Sequence, residues 1–162
     1  MSTITVITGG SRGLGRSAAL NLASLGNDVV ITYQTRETEA QQVVSEIQAM
    51  KRKAVALQLD VADSKTFPAF AEHLSKALRA TWGRETFDNL VNNAGHGDYN
   101  LILDTTEEQF DKLVNVHFKG VFFLTKRFCP SWWMVAGSSI CPRGSRVFRR
   151  RAGPPMRPSR EP

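Results

Sequence analysis

The feature that most constrains this chain is an alternation: a short β-branched run, a turn, then apolar residues at helical spacing, repeated four times. "TITVIT" (Thr3 to Thr8) passes through "GGSRGLG" into "RSAALNLASLG", where Leu14, Ala18, Leu22 and Leu25 recur at helical spacing and Gly26 supplies a stop. "DVVITY" (Asp28 to Tyr33) precedes a stripe of Ala40, Val43, Val44, Ile47 and Met50 that ends in "KRK". "AVALQLD" (Ala54 to Asp60) precedes Phe67, Phe70, Ala71, Leu74 and Leu78. "FDNLVNNAG" (Phe87 to Gly95) reads as a fourth strand leaving into a turn. The "TTEE" after it predicts a capping box in which Thr105 reaches Glu108. That box opens a long helix carrying Phe110, Leu113, Val114, Phe118, Val121 and Phe122. Apolar strands that alternate strictly with helices must be covered on both sides, which predicts an α/β fold with a doubly wound parallel sheet.

The alternation stops near residue 126, and composition shows where. Residues 1–125 hold 12 Lys and Arg against 14 Asp and Glu, whereas residues 126–162 hold 9 against 1. Six of the seven prolines and both cysteines fall in the second segment, so the formal net charge of +6 belongs to the tail and not to the domain. The division predicted is therefore a domain over 1–125 and an irregular, disordered Arg/Pro-rich tail over 126–162. Cys129 and Cys141 lack CxxC spacing and lie far from any His cluster, which points away from a metal site or a disulfide framework. With no long apolar run and no secretory leader pattern at Met1 to Asn27, the expected location is the cytoplasm, without a membrane partner.

A Gly-rich turn between a first strand and a first helix suits pyrophosphate, because the helix N-terminus offers free N–H groups and the positive end of its dipole. Here the turn reads Thr8-Gly9-x-x-x-Gly13-x-Gly15, with Ser11, Arg12 and Leu14 between. With Asp60-Val61 after the third strand, Asn92-Asn93-Ala94-Gly95 after the fourth, and Asn115 in "LVNVHFKGVF", the chain resembles the short-chain dehydrogenase/reductase family. The resemblance covers residues 1 to about 125 and, in its glycine turn, "DVVITY" and "NNAG", is similar to the acyl-carrier-protein ketoreductase branch. It implies a Rossmann-like sheet in the order 3-2-1-4-5-6-7 and NAD(P)-dependent hydride transfer between a carbonyl and an alcohol. It also implies a homo-oligomer, an adenine contact at Asp60-Val61 and a catalytic role for Asn115.

Charge argues for the cofactor. An acid at the end of the second strand would hold the ribose 2′-OH of NAD, but Tyr33 stands there, and Arg36 and Arg12 can pair with the 2′-phosphate of NADP. NADP is expected over NAD, although Arg36, followed by Glu37 and Glu39, also reads as a solvated charge at a helix start.

The family's Ser and Tyr-x-x-x-Lys have no owner. Tyr33 and Tyr99 both precede Asn115, and neither has Lys at the fourth following position, so the chain is expected to be inactive by itself. A displaced coding register offers an account. Read one base out of phase, Trp132-Trp133-Met134-Val135 must encode Val-Asp-Gly, and permitted codons around it restore a fifth strand with its Ser and, later, Tyr-x-x-x-Lys. The sequence thus predicts a frameshift between Thr125 and Phe128, leaving strands 1 to 4 and their helices. Two other classes stay open: a nucleotide-binding or regulatory module without turnover, and a basic-tailed protein touching nucleic acid adventitiously through "RVFRRR" and Trp132-Trp133.

Overall fold

The computed structural model of the chain describes residues 2–133. Its elements run β1 (Ile4–Ile7), α1 (Gly13–Ser24), β2 (Asp28–Tyr33), α2 (Glu37–Ala49), β3 (Ala54–Gln58), α3 (Phe67–Trp82), β4 (Asn89–Val91), α4 (Glu107–Val114) and α5 (Val121–Trp133). All three strand pairings are parallel, and the order is β3-β2-β1-β4.

Period-two alternation sorts the strand side chains into two cores. Val6, paired with Val30 on one side and Leu90 on the other, faces the layer made by Phe67, Phe70, Leu74 and Leu78 of α3 and by Leu124 and Phe128 of α5. Ile7, paired with Ile31 and Val91, faces the opposite layer, where Ala19 and Ala23 of α1 meet Ala40, Val43 and Ile47 of α2. The doubly wound sheet that the alternation predicts is therefore the fold observed.

Several local expectations shift. Leu14 and Leu25, which helical spacing puts on the buried stripe of α1, are 83% and 78% exposed. The buried face is Gly15, Ala19 and Ala23, because small residues let the helix lie close to the sheet where it meets the glycine turn. Met50 is likewise exposed, beyond the end of α2. The strand read over Phe87 to Gly95 pairs only at Asn89–Val91, and Asn93 and Ala94 after it bond to Thr8 at the start of the glycine turn.

The capping box sits one residue later than predicted. Gln109 N–H donates to Thr106 Oγ1 at 3.3 Å and Thr106 N–H donates to Gln109 Oε1 at 3.0 Å. Thr105 is occupied elsewhere, its hydroxyl donating to the Leu101 carbonyl at 3.0 Å.

The long helix is continuous but not uniform. Between α4 and α5 the six residues Asn115–Gly120 form a π-helical turn. A wide turn rotates everything after it, so the face carried into the core is Val116, Gly120, Leu124 and Phe128. Gly120 explains the close fit, since a Cβ there would lie 2.1 Å from the Val61 carbonyl oxygen. Phe110, Phe118 and Phe122, expected in the apolar stripe, are exposed.

The boundary predicted at 125/126 falls inside α5. Phe128 is buried and packs edge-on against Phe87 and Phe70, with ring centroids 5.2 and 6.3 Å away. Such burial contributes roughly 1.5–3 kcal/mol. The basic segment 134–162, its suggested disorder and nucleic-acid contacts, and the alternative coding register for it lie outside the described residues. Among the described residues, no helix is long and apolar enough to cross a membrane, and no His, Cys, Asp and Glu cluster could hold a metal ion.

Candidate functional site

The chain builds outward from β1 through β2 to β3, then returns to place β4 on the other side of β1. That reversal opens a crevice at the carboxyl ends of the strands. A cavity of about 800 Å³ lies there, running from Tyr33 at the end of β2 and Arg36 beyond it, past the glycine turn, to Gly95, His96 and His117 beyond β4.

Glycine shapes its floor. Gly9 has φ of +67°, and a Cβ there would lie 2.8 Å from Ala94 Cα. A Cβ on Gly15 would lie 2.2 Å from the Gly9 carbonyl oxygen and 2.4 Å from Asn93 Nδ2. The N-terminus of α1 opens onto this floor. Arg12 is its N-cap but makes no side-chain capping bond, and the first turn holds no acid. Its leading N–H groups, with a dipole end equivalent to roughly half a positive charge, are thus available to an anion.

Thr8 and Asn93 lock the turn to the segment after β4. Thr8 Oγ1 accepts from Asn93 N–H at 2.9 Å and from Ala94 N–H at 3.0 Å. Asn93 Nδ2–H donates back to the carbonyl oxygens of Thr8 and Gly9, at 2.9 and 3.1 Å. The Asp60 carboxylate accepts from Ala62 N–H at 2.9 Å, which fixes the turn after β3 beside Val61.

All but three of the residues marked by sequence line the cavity; the exceptions are Thr8, Asn92 and Asn115. Thr8 acts from beneath through the bonds just described. Asn92 turns away, its amide donating to Thr125 Oγ1 at 3.1 Å and tying the end of β4 to α5. Asn115 begins the π-helical turn. Sequence reading missed several lining residues, among them Thr35, Leu59, His96, Lys112, Val116 and His117. For the last two, the wide turn decides which side chains face forward, and no local pattern announces it.

At the β2 end the electrostatics are mixed. Arg12 and Arg36 both line the cavity, while Arg36 Nη1 also reaches Glu39 Oε1 at 3.0 Å. The Glu39 carboxyl is held below its ordinary range by the backbone N–H at its own position in the first turn of α2, then by its bond to Arg36 and the charge of Arg12. The Tyr33 phenol is pushed up by burial and by the adjacent, hydrogen-bonded Glu37 carboxylate, so it stays protonated.

A family model described as short chain dehydrogenase matches residues 3–143. The 3-oxoacyl-[acyl-carrier-protein] reductase FabG of Staphylococcus aureus is 35% identical over 130 residues, which are 80% of this chain and 50% of that protein. An L-rhamnose 1-dehydrogenase (NAD(P)(+)) of a Sphingomonas species is 35% identical over 121 residues, covering 75% and 45%. Among solved structures, a short chain dehydrogenase from Burkholderia cenocepacia in complex with NADP is 34% identical with a TM-score of 0.69, covering 77% of this chain and 49% of that one. A metagenomic short-chain oxidoreductase in complex with NADP is 33% identical with a TM-score of 0.70, covering 80% and 56%. The chain thus spans about half the length of the curated relatives it matches.

Proposed function

The chain belongs to the short chain dehydrogenase family, and on that footing we propose that it binds a nicotinamide dinucleotide, NADP before NAD, in the crevice over β1. One observation carries this reading: a floor that at Gly9 and Gly15 has no room for a Cβ meets the uncapped N-terminus of α1 at the point where the strand order reverses. The pyrophosphate rests on the N–H groups of that helix. Arg12 and Arg36 take the 2′-phosphate, and Asp60-Val61 flank the adenine. NADP preference is supported by the two guanidinium groups, by the lack of an acid at Tyr33, and by the NADP found in two similar structures.

A bound reduced cofactor supplies hydride from its nicotinamide ring, and the activity proposed for the whole protein is reduction of a small carbonyl compound to an alcohol, or the reverse. This chain contributes the cofactor half of that reaction. Its 162 residues hold no Tyr with Lys at the fourth following position, so we propose binding without turnover by this chain alone. Phe118 and Phe122, 75% and 58% exposed on the long helix, support a homo-oligomer in which a second copy covers that face.

Calorimetric titration tests the reading. A cooperatively folded sample should bind NADPH with submillimolar affinity, and NADH more weakly. A folded sample that takes up neither dinucleotide would end it.

A further inference from the structure

His117 stands in the cavity with its ring fixed from one side. Its Nε2 lies 2.7 Å from the His96 carbonyl oxygen. The His96 N–H also points at this nitrogen, at the longer distance of 3.3 Å. A carbonyl only accepts, so the shorter contact decides: the nitrogen carries the proton and donates it to the carbonyl. In the neutral ring Nδ1 then keeps a free lone pair. The imidazole packs over Gly95, where a Cβ would lie 2.6 Å from His117 Cε1 and 3.3 Å from Nδ1, so glycine makes the room that the ring occupies. Beside it, 5.8 Å away between centroids, the His96 ring buries an Nε2 that has no hydrogen-bond partner among the described residues. A buried ring nitrogen left without a partner next to a cavity marks a place where a bound molecule or an ordered water completes the bonding.

Position says which part of a ligand comes here. Arg12 and Arg36 lie on the β2 side of the crevice, and the helix N-terminus at its centre; Gly95, His96 and His117 lie past β4, on the opposite side of β1. A dinucleotide whose 2′-phosphate meets the arginines and whose pyrophosphate meets α1 extends its other nucleoside toward β4. The π-helical turn is what delivers the side chain. Seating Gly120 on the Val61 carbonyl places Val116 and His117 together on the cavity wall, and leaves Asn115 off it.

We infer that His117 is the residue of this helix that touches the cofactor, with Nδ1 accepting a hydrogen bond from the nicotinamide half, at its ribose hydroxyl or carboxamide. It takes the place that the motif reading gave to Asn115. The inference rests on the dinucleotide reading above, and a fragment ligand separates the two. The 2′,5′-ADP molecule carries the adenine, the ribose and the 2′-phosphate but no nicotinamide, so it reports the arginine end alone.

NADPH and 2′,5′-ADP are titrated into the full chain and into His117→Ala, His117→Gln and Asn115→Ala, with each thermal midpoint recorded. Loss of one hydrogen bond predicts that His117→Ala weakens NADPH by about five- to tenfold and leaves 2′,5′-ADP within about twofold. His117→Gln keeps a donor for the His96 carbonyl, but its one acceptor, Oε1, does not fall where Nδ1 stood, so it should show the same selective loss even if the alanine variant does not fold. Asn115→Ala should change neither ligand. Equal weakening of both ligands by the His117 variants, no weakening, or a selective loss in Asn115→Ala overturns the assignment. A wild-type chain that binds 2′,5′-ADP but gains nothing from the nicotinamide half refutes the His117 contact and leaves the site standing. A folded chain that binds neither ligand removes the dinucleotide reading, and this inference with it.

Discussion

The side-chain amide of Asn93 donates to the main-chain carbonyl of Thr8 at 2.9 Å, joining two segments 85 residues apart in the chain. The same amide reaches the Gly9 carbonyl, and Thr8 answers by accepting the N–H groups of Asn93 and Ala94 through its hydroxyl. The glycine turn owes its shape to this exchange as much as to its own glycines.

Asn93→Ala would therefore strand two part-buried carbonyl groups. The expected loss is about 1–3 kcal/mol in urea unfolding, with NADPH affinity falling in parallel because the cavity floor relaxes. Unchanged stability would mean that water replaces the amide without cost.

Gly15→Ala should separate binding from folding. Its methyl would collide with the Gly9 carbonyl and the Asn93 amide, at 2.2 and 2.4 Å, and neither backbone nor bonded amide can move freely. The variant is expected to lose NADPH binding by at least tenfold, with the helical far-ultraviolet circular dichroism of α2 and α3 retained. Wild-type affinity in this variant would show that the floor is looser than its contacts indicate.

The arginine end makes a prediction about cofactor choice. Arg36 is shared between the cavity and Glu39, so Glu39→Gln should strengthen NADPH binding by a few-fold while leaving NADH alone. Arg12→Ala with Arg36→Ala should do the opposite, cutting NADPH affinity at least tenfold and erasing its advantage over NADH. Parallel titrations of the two dinucleotides decide this, and equal effects on both would place the 2′-phosphate elsewhere.

Acid sensitivity should centre on Asp28. It is 2% exposed, and burial pushes its carboxyl up. That push is outweighed by hydrogen bonds from Ser2 Oγ, Lys53 N–H and Trp82 Nε1 and by the Arg52 guanidinium 2.8 Å away, so the net direction is below the ordinary 3.8. A carboxyl depressed in the folded state stabilises the fold above its unfolded value and loses that contribution as pH falls through the folded one. Stability should then drop as pH falls below about 4, more steeply in the wild type than in Asp28→Asn, which should already be weaker at neutral pH by about 1–3 kcal/mol. Denaturant midpoints from pH 7 to pH 2 would test it; identical slopes in the two proteins would count against Asp28.

Much of this was legible in the residues themselves. Branched runs such as "DVVITY", the interval between glycines after β1, and apolar residues three and four apart in α2 and α3 are local patterns. Backbone sterics and burial act on them within a few residues of chain, so they fix strand, turn and helix wherever they occur. Helix faces were less legible where packing is unusually close. Leu14 looks like core by spacing, yet Gly15 is the residue that meets the turn.

The cap expected at Thr105 falls to Thr106, because the Thr105 hydroxyl donates to the Leu101 carbonyl. Asn115 and His117 are two residues apart on one helix, and nothing local says which faces the cavity. The answer comes from Gly120 resting on Val61, a contact across 59 positions that imposes the wide turn and rotates the helix. Sequence determined the elements, their order and the glycine turn, because short-range sterics and apolar periodicity write them directly. Tertiary structure alone decided that His117 and not Asn115 lines the cavity, because a helix's rotation about its own axis is set by what it packs against.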